Sequence, residues 1–218
     1  MSGIKVIITG STGMVGEGVL LECLQNEKVS EVLMVNRRHY EHRHPKLKEA
    51  IVPDFFQLGQ FGEDLKGYDA CFFCAGISSV GMKEDRYTSI TYDTTLSFAK
   101  TFLQYNNNSS FCYVSGSHTD STEKGRLMWA RVKGRTENDL LKLPFRSVYN
   151  FRPGVMQPFP GQKNWKAVYK GIVKVIKLIV PKKVLTMQEV GRAMINAVIN
   201  GYPKNVLEVE DIKALSRG

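Results

Sequence analysis

The stretch Thr9-Gly10-Ser11-Thr12-Gly13-Met14-Val15-Gly16 follows a short apolar run, Ile4-Lys5-Val6-Ile7-Ile8, and opens a segment with helical spacing. In that segment Val15, Val19 and Cys23 share one face, with Leu20 and Leu24 beside it. A buried strand, glycines at every third position and then a helix is the layout of a dinucleotide-binding turn. Gly10 would let the chain reverse, Gly13 would let backbone approach a pyrophosphate, and Gly16 would let helix and strand pack closely. The phosphates would sit at the positive helix N-terminus, against Ser11, Thr12, Met14 and Val15.

The second strand, Glu31-Val32-Leu33-Met34-Val35, ends at Asn36-Arg37-Arg38. An NAD-binding turn carries an acidic residue about twenty positions past its glycines, where it bonds the ribose 2′-hydroxyl. Here Asn36 holds that place and two arginines follow. A carboxylate repels a 2′-phosphate, whereas guanidinium groups bind one, so NADP is favoured over NAD. His39, His42 and His44 crowd the next loop, but no cysteine or spaced carboxylate joins them, and no metal site is expected.

Ala50-Ile51-Val52-Pro53 reads as a third strand, followed by Asp54, either an adenine-edge residue or a plain turn. After a turn-rich stretch a fourth strand ends at Cys74-Ala75-Gly76, small enough for a cofactor to approach backbone. A long helix is expected over 84–106, with Ile90, Thr94, Phe98 and Phe102 on one face. The fifth strand, Ser110 to Val114, leads into Ser115-Gly116-Ser117-His118. Further expectations are a helix over 122–141, a strand over 146–151 ending at Arg152-Pro153-Gly154, a helix over 187–200 and a strand over 206–209. Strands alternating with helices call for an α/β fold, a doubly wound parallel sheet.

A chain of 218 residues, 43% hydrophobic and 23% charged, is an ordinary globular domain with room for a small appendage. Its net charge of +9 suits anionic partners without choosing among them. The first apolar run is only a strand long and none is long enough to span a bilayer, so the expectation is cytoplasmic. Cys71 and Cys74 form C-x-x-C inside a strand, where residues three apart face opposite ways, so buried free thiols are expected.

Together these pieces resemble the short-chain dehydrogenase/reductase superfamily, in its extended or atypical, epimerase-like branch. The resemblance rests on Thr9 to Gly16, Cys74-Ala75-Gly76, Tyr113-Val114-Ser115-Gly116, Lys133-Gly134 and Arg152-Pro153-Gly154. It implies a Rossmann domain over 1–155 that binds NAD(P), with Pro153 and Gly154 near the cofactor. It also implies a small C-terminal segment, 156–218, packed on the same domain and completing a substrate pocket. The family's catalytic apparatus carries over as Ser115 (with Ser117 as second choice), which steadies the substrate oxygen, and Lys133, which holds the nicotinamide ribose.

At the family's catalytic tyrosine position, four residues before Lys133, this chain has Trp129. An indole N–H donates a hydrogen bond but is no acid or base at a useful pH. Replacement proton donors among Tyr87, Tyr92, Tyr113, His118 and Asp120 come into view, His118 first because imidazole titrates near neutrality. Its alternative is a surface loop histidine.

Between Gln162 and Val180, lysines at 166, 170, 174 and 177 alternate with aromatic and apolar residues. That profile fits a helix packed on the sheet domain, or one in weak contact with an anionic membrane. No helix-turn-helix signature points to nucleic acid. Two functional expectations result: an NADP(H)-dependent oxidoreductase acting on a small carbonyl or hydroxyl compound, and a non-catalytic NADP(H) sensor.

Overall fold

The computed structural model describes residues 3–164 and 183–218. Its strands are β1 (Ile4–Thr9), β2 (Val29–Asn36), β3 (Leu47–Ile51), β4 (Ala70–Phe73), β5 (Ser110–Val114), β6 (Ser147–Phe151), β7 (Val155–Gln157), β8 (Val184–Thr186) and β9 (Val206–Leu207). Helices α1 (Met14–Gln25), α2 (Glu84–Thr88), α3 (Thr94–Tyr105), α4 (Met128–Leu140), α5 (Met187–Asn200) and α6 (Val209–Leu215) join them. A seven-stranded sheet runs β3-β2-β1-β4-β5-β6-β9 with every neighbouring pair parallel, and β7 and β8 form a separate parallel pair. This is a Rossmann-like α/β fold. The order reverses between β1 and β4, which opens a crevice beyond the carboxyl ends of the strands.

Strand alternation decides which residues each layer receives. Val6, Ile8, Val32, Met34 and Phe72 pack with Val19, Leu20, Val190 and Ile212 from α1, α5 and α6. Ile7, Leu33, Val35, Cys71 and Phe73 meet Phe98, Phe102 and Leu140 from α3 and α4 on the other face. Phe73 lies 5.3 Å from Phe98 and 5.9 Å from Phe111, ring to ring. Truncating it to alanine would cost about 3–5 kcal/mol. Cys71 joins the second layer while Cys74 packs against the first, and all four cysteines are free thiols. Among the described residues no helix is long and apolar enough to cross a membrane.

Five regions differ from expectation. β3 begins at Leu47 and stops before Pro53, because an edge strand needs little apolar surface; its Lys48 pairs with Glu31 at 2.8 Å. The turn-rich stretch before β4 is a 3-10 segment, Phe55–Leu65, started by Asp54, whose side chain accepts from Phe56 N. A π turn at Ser89–Asp93 joins α2 to α3 and rotates the face, so Tyr87, Thr91, Thr95 and Phe98 are buried while Ile90 is exposed. α4 starts at Met128 rather than near Thr122. Asp120 takes Thr122 N at 3.0 Å and Gly125 N at 2.6 Å, holding a loop in which Glu123 has φ +61°. At the end of the chain, β9 stops at Leu207 because Glu208 caps the unexpected helix α6. The expected basic helix falls outside the described residues from position 165 onward.

Candidate functional site

Two adjoining cavities, of about 450 and 250 Å³, lie along the crevice and share Gly13 and residues 74–77. Gly10 has φ +70°, and a Cβ there would come within 2.7 Å of Ala75 N. On Gly16 a Cβ would meet the Gly10 carbonyl oxygen at 2.1 Å. The turn therefore closes tightly on both the end of β4 and the first turn of α1, leaving helix N–H groups facing the trough. Met14 and Val15 line the smaller cavity, and Thr12 the larger.

Ser11 is fully buried and lines neither cavity; its Oγ donates to Asn36 Oδ1 at 3.1 Å. Asn36, on the wall of the larger cavity, thus locks the end of β2 to the turn. Arg37 and Arg38 follow it on the same wall, exposed, and neither has an ion-pair or hydrogen-bond partner among the described residues. Asp54 and Phe55 also line this cavity. Of the loop histidines, His39 contacts Glu49, and none lines a cavity. No cluster that could hold a metal occurs among the described residues.

The smaller cavity gathers Ser115, Gly116, Lys133, Pro153 and Met156 beside Cys74, Ala75 and Gly76. Lys133, on α4, donates from Nζ to the Ser115 carbonyl oxygen. Burial pushes its ammonium down to about 8, with the Glu137 charge opposing. Ser115 is buried, and its Oγ donates to the Phe151 carbonyl at 3.1 Å. The hydroxyl proton is spent there, so Ser115 offers the cavity its lone pairs. Ser117 donates to the Arg152 carbonyl at 3.2 Å, and Gly154 packs beside it.

Trp129 stands one turn before Lys133, half-buried, and lines neither cavity. His118 is exposed with φ +67° and also lies outside both. The tyrosines expected near the crevice are elsewhere. Tyr87 and Tyr113 are core residues whose hydroxyls burial pushes up, and Tyr92 Oη donates to Asp139 at 2.6 Å. Strand parity explains Tyr113: it points into the layer under α3 and α4, away from the site.

The sequence reading missed two ionic anchors. Arg152 bonds Glu137 with both prongs, at 3.0 Å from Nε, and reaches Glu208 at 3.2 Å and Ser121 Oγ at 2.6 Å. Glu17, buried on α1, accepts from Tyr40 Oη at 2.7 Å, Lys163 N at 3.0 Å and Asn164 N at 2.6 Å. A carboxylate breaking the apolar face of α1 was the one available signal for the second anchor.

A sequence profile of the NAD dependent epimerase/dehydratase family matches residues 6–121. Protein HTATIP2 of Rattus norvegicus is 26% identical over 159 residues, 72% of this chain and 64% of that protein. Protein FMP52, mitochondrial, of Debaryomyces hansenii is 25% identical over 154 residues, 70% of this chain and 66% of that one. The chain spans just under two thirds of the length of these curated relatives. In fold it is similar to a UDP-N-acetylglucosamine 4-epimerase from Methanobrevibacter ruminantium M1, with TM-score 0.68, 17% identity and coverage of 95% of this chain and 76% of that one. Bordetella bronchiseptica WbmF in complex with NAD+ gives TM-score 0.67, 14% identity and coverage of 99% and 77%. The short chain dehydrogenase/reductase YIR035C of Saccharomyces cerevisiae gives 0.70, 15% and 99% of both chains.

Proposed function

The chain belongs to the NAD dependent epimerase/dehydratase family, and from that premise we propose that it is an NADP(H)-dependent oxidoreductase acting on a small carbonyl or hydroxyl compound. One observation carries the reading: Ser115 and Lys133 meet in a cavity that shares its wall with the glycine turn. A bound nicotinamide would supply or accept the hydride. Gly10, Gly13, Met14 and Val15 would hold the pyrophosphate, Asp54 and the backbone of 74–76 the adenosine side, and Lys133 the nicotinamide ribose. Pro153 would border the nicotinamide end.

The preference for NADP(H) rests on Arg37 and Arg38, two guanidiniums without partners among the described residues, which follow Asn36 at the place where an acidic residue would serve NAD. Titration with NADPH and NADH by fluorescence tests it, followed by a turnover screen with aldehydes, ketones and quinones. Tighter NADH binding would remove the preference, and coenzyme binding without any turnover would remove the oxidoreductase.

A second reading, a non-catalytic NADP(H) sensor, is favoured by Trp129 and by the Ser115 hydroxyl being committed to Phe151. A cytoplasmic setting is supported by the four free thiols. Weak contact of 162–180 with an anionic membrane is a further proposal, resting on lysine spacing alone.

A further inference from the structure

We propose that Lys133 is itself the proton-transfer group of this site, giving an ammonium proton directly to the substrate oxygen. The assignment rests on the oxidoreductase reading and names the group that reading leaves open.

Geometry eliminates the other candidates. Trp129 has no acidic proton to give and lies off the cavity, as do His118, Tyr87, Tyr92 and Tyr113. Of the described residues on the smaller cavity only Cys74 and Lys133 titrate, and burial pushes the Cys74 thiol up to about 12. Ser115 donates its hydroxyl hydrogen bond to the Phe151 carbonyl. Lys133 remains, at the cavity wall beside Ser115.

The surroundings of Lys133 suit the role. An ammonium has three N–H donors, and the Ser115 carbonyl takes one. No carboxylate lies within ion-pair distance of Nζ among the described residues. The nearby acid, Glu137 on the same helix, is tied up by Arg152 from the end of β6. A lysine without an ionic partner, partly shielded from water, loses its proton more readily than one in solution. Burial accordingly brings it down to about 8, in the range where a general acid works at neutral pH.

In the reducing direction one N–H bond of Lys133 breaks and one O–H bond forms on the substrate, whose C=O becomes C–H and C–OH. The hydride and its electron pair come from the reduced nicotinamide dinucleotide. The amine left on Lys133 takes its proton back from water. In the oxidising direction the neutral amine accepts the hydroxyl proton.

The test begins on the protein without coenzyme. Trace acetylation with acetic anhydride between pH 6 and pH 11, read by mass spectrometry, gives the midpoint of each lysine. Lys133 is expected to titrate near 8, and a midpoint near the ordinary 10.5 overturns the proposal. Lys133→Arg keeps a charged donor for Ser115 and the ribose but cannot release a proton at a working pH. It is expected to bind NADPH within about threefold of wild type yet lose about 100-fold or more in turnover of benzaldehyde, acetophenone or menadione. Lys133→Met is expected to lose both. Wild-type turnover that survives in Lys133→Arg overturns this assignment alone. Wild type that binds NADPH and turns over none of the probes overturns the oxidoreductase reading and the assignment with it, whatever the midpoint.

Discussion

Arg152 and Glu137 face each other where β6 leaves the sheet and α4 passes beneath it, in a two-pronged ion pair whose carboxylate has no solvent exposure. The same guanidinium reaches Ser121 and Glu208, so one side chain ties together the loop before α4, the end of β6 and the cap of α6. Removing one partner of a buried pair strands the other charge. Arg152→Met is therefore expected to lose about 3–5 kcal/mol in urea unfolding. Glu208, half-exposed, takes the outer prong and also caps α6; Glu208→Gln keeps a side-chain oxygen for the cap and should cost at most about 1 kcal/mol. Equal losses in the two variants would refute this ranking.

Glycines in the trough separate stability from binding. A Cβ on Gly16 would overlap the Gly10 carbonyl, which is backbone and cannot swing aside. One on Gly76 would enter open space on the cavity wall. Gly16→Ala is expected to fold poorly, with a loss of several kcal/mol, about the cost of an overpacked core site or more. Gly76→Ala should keep the wild-type melting temperature and lose about tenfold or more in NADPH affinity, about 1.4 kcal/mol. Unchanged affinity in Gly76→Ala would place the adenosine side of the coenzyme elsewhere.

Arg37 and Arg38 line the larger cavity with no ion-pair or hydrogen-bond partner among the described residues. Each charge-assisted bond to a phosphate contributes about 1.5–3 kcal/mol. Even with only one such bond lost, Arg37→Ala with Arg38→Ala should weaken NADPH about 10- to 100-fold or more and leave NADH within about threefold. Calorimetry at two salt concentrations provides the check, since the wild-type preference for NADPH should shrink as salt rises. A parallel loss for both coenzymes would mean that the pair acts on something other than the 2′-phosphate.

What could be read from the chain follows the range of the interactions. The glycine turn, the strand alternation and the α5 span, Met187–Asn200, are local patterns, and the structure repeats them. The Ser115 and Lys133 pairing came through the family resemblance, since nothing in either segment alone joins the two. Arg152 and Glu137 stand on different elements, and nothing in either segment names the other. Glu17 bonds residues some 146 positions away, beyond any periodicity. The π turn and the Asp120 loop fail for another reason. Each departs from the regular helix that the apolar spacing of its segment suggests. A helix pattern read across them keeps its phase where the real chain changes it.

The half-buried Lys133 also leaves a mark on stability. Its folded pKa lies near 8 and its unfolded value near 10.5, so between these pH values the unfolded chain binds more protons. Stability must then rise with pH across that window, the reverse of a lysine held by an acid. The full shift is an upper bound of roughly 3 kcal/mol, and partial exposure lowers what is seen to the order of 2 kcal/mol. Urea unfolding of wild type and Lys133→Met from pH 7.5 to pH 10.5 isolates the contribution as a difference. A difference that stays flat would return Lys133 to an ordinary solvated value.

Glu17 joins three parts of the site. Its helix begins at the glycine turn, its Oε1 accepts from Tyr40 of the loop that follows the two arginines, and both oxygens accept from the backbone at 163 and 164. Gln162 adds a bond from its side-chain nitrogen to the Met14 carbonyl. The residues just past Met156, which lines the smaller cavity, are thus pinned to the first turn of α1 by a single buried carboxylate. Glu17→Gln presents an N–H₂ where only donors converge, leaving at least one of them unsatisfied. The expected loss is about 1–3 kcal/mol, whereas Tyr40→Phe, which removes a single neutral donor, should lose about 1 kcal/mol. Stability alone would not locate the effect, so hydrogen exchange does. The amides of Lys163 and Asn164 should exchange at least about tenfold faster in Glu17→Gln, with those of β1 unchanged. Uniform acceleration across the sheet would show that the carboxylate supports the whole fold rather than pinning this segment.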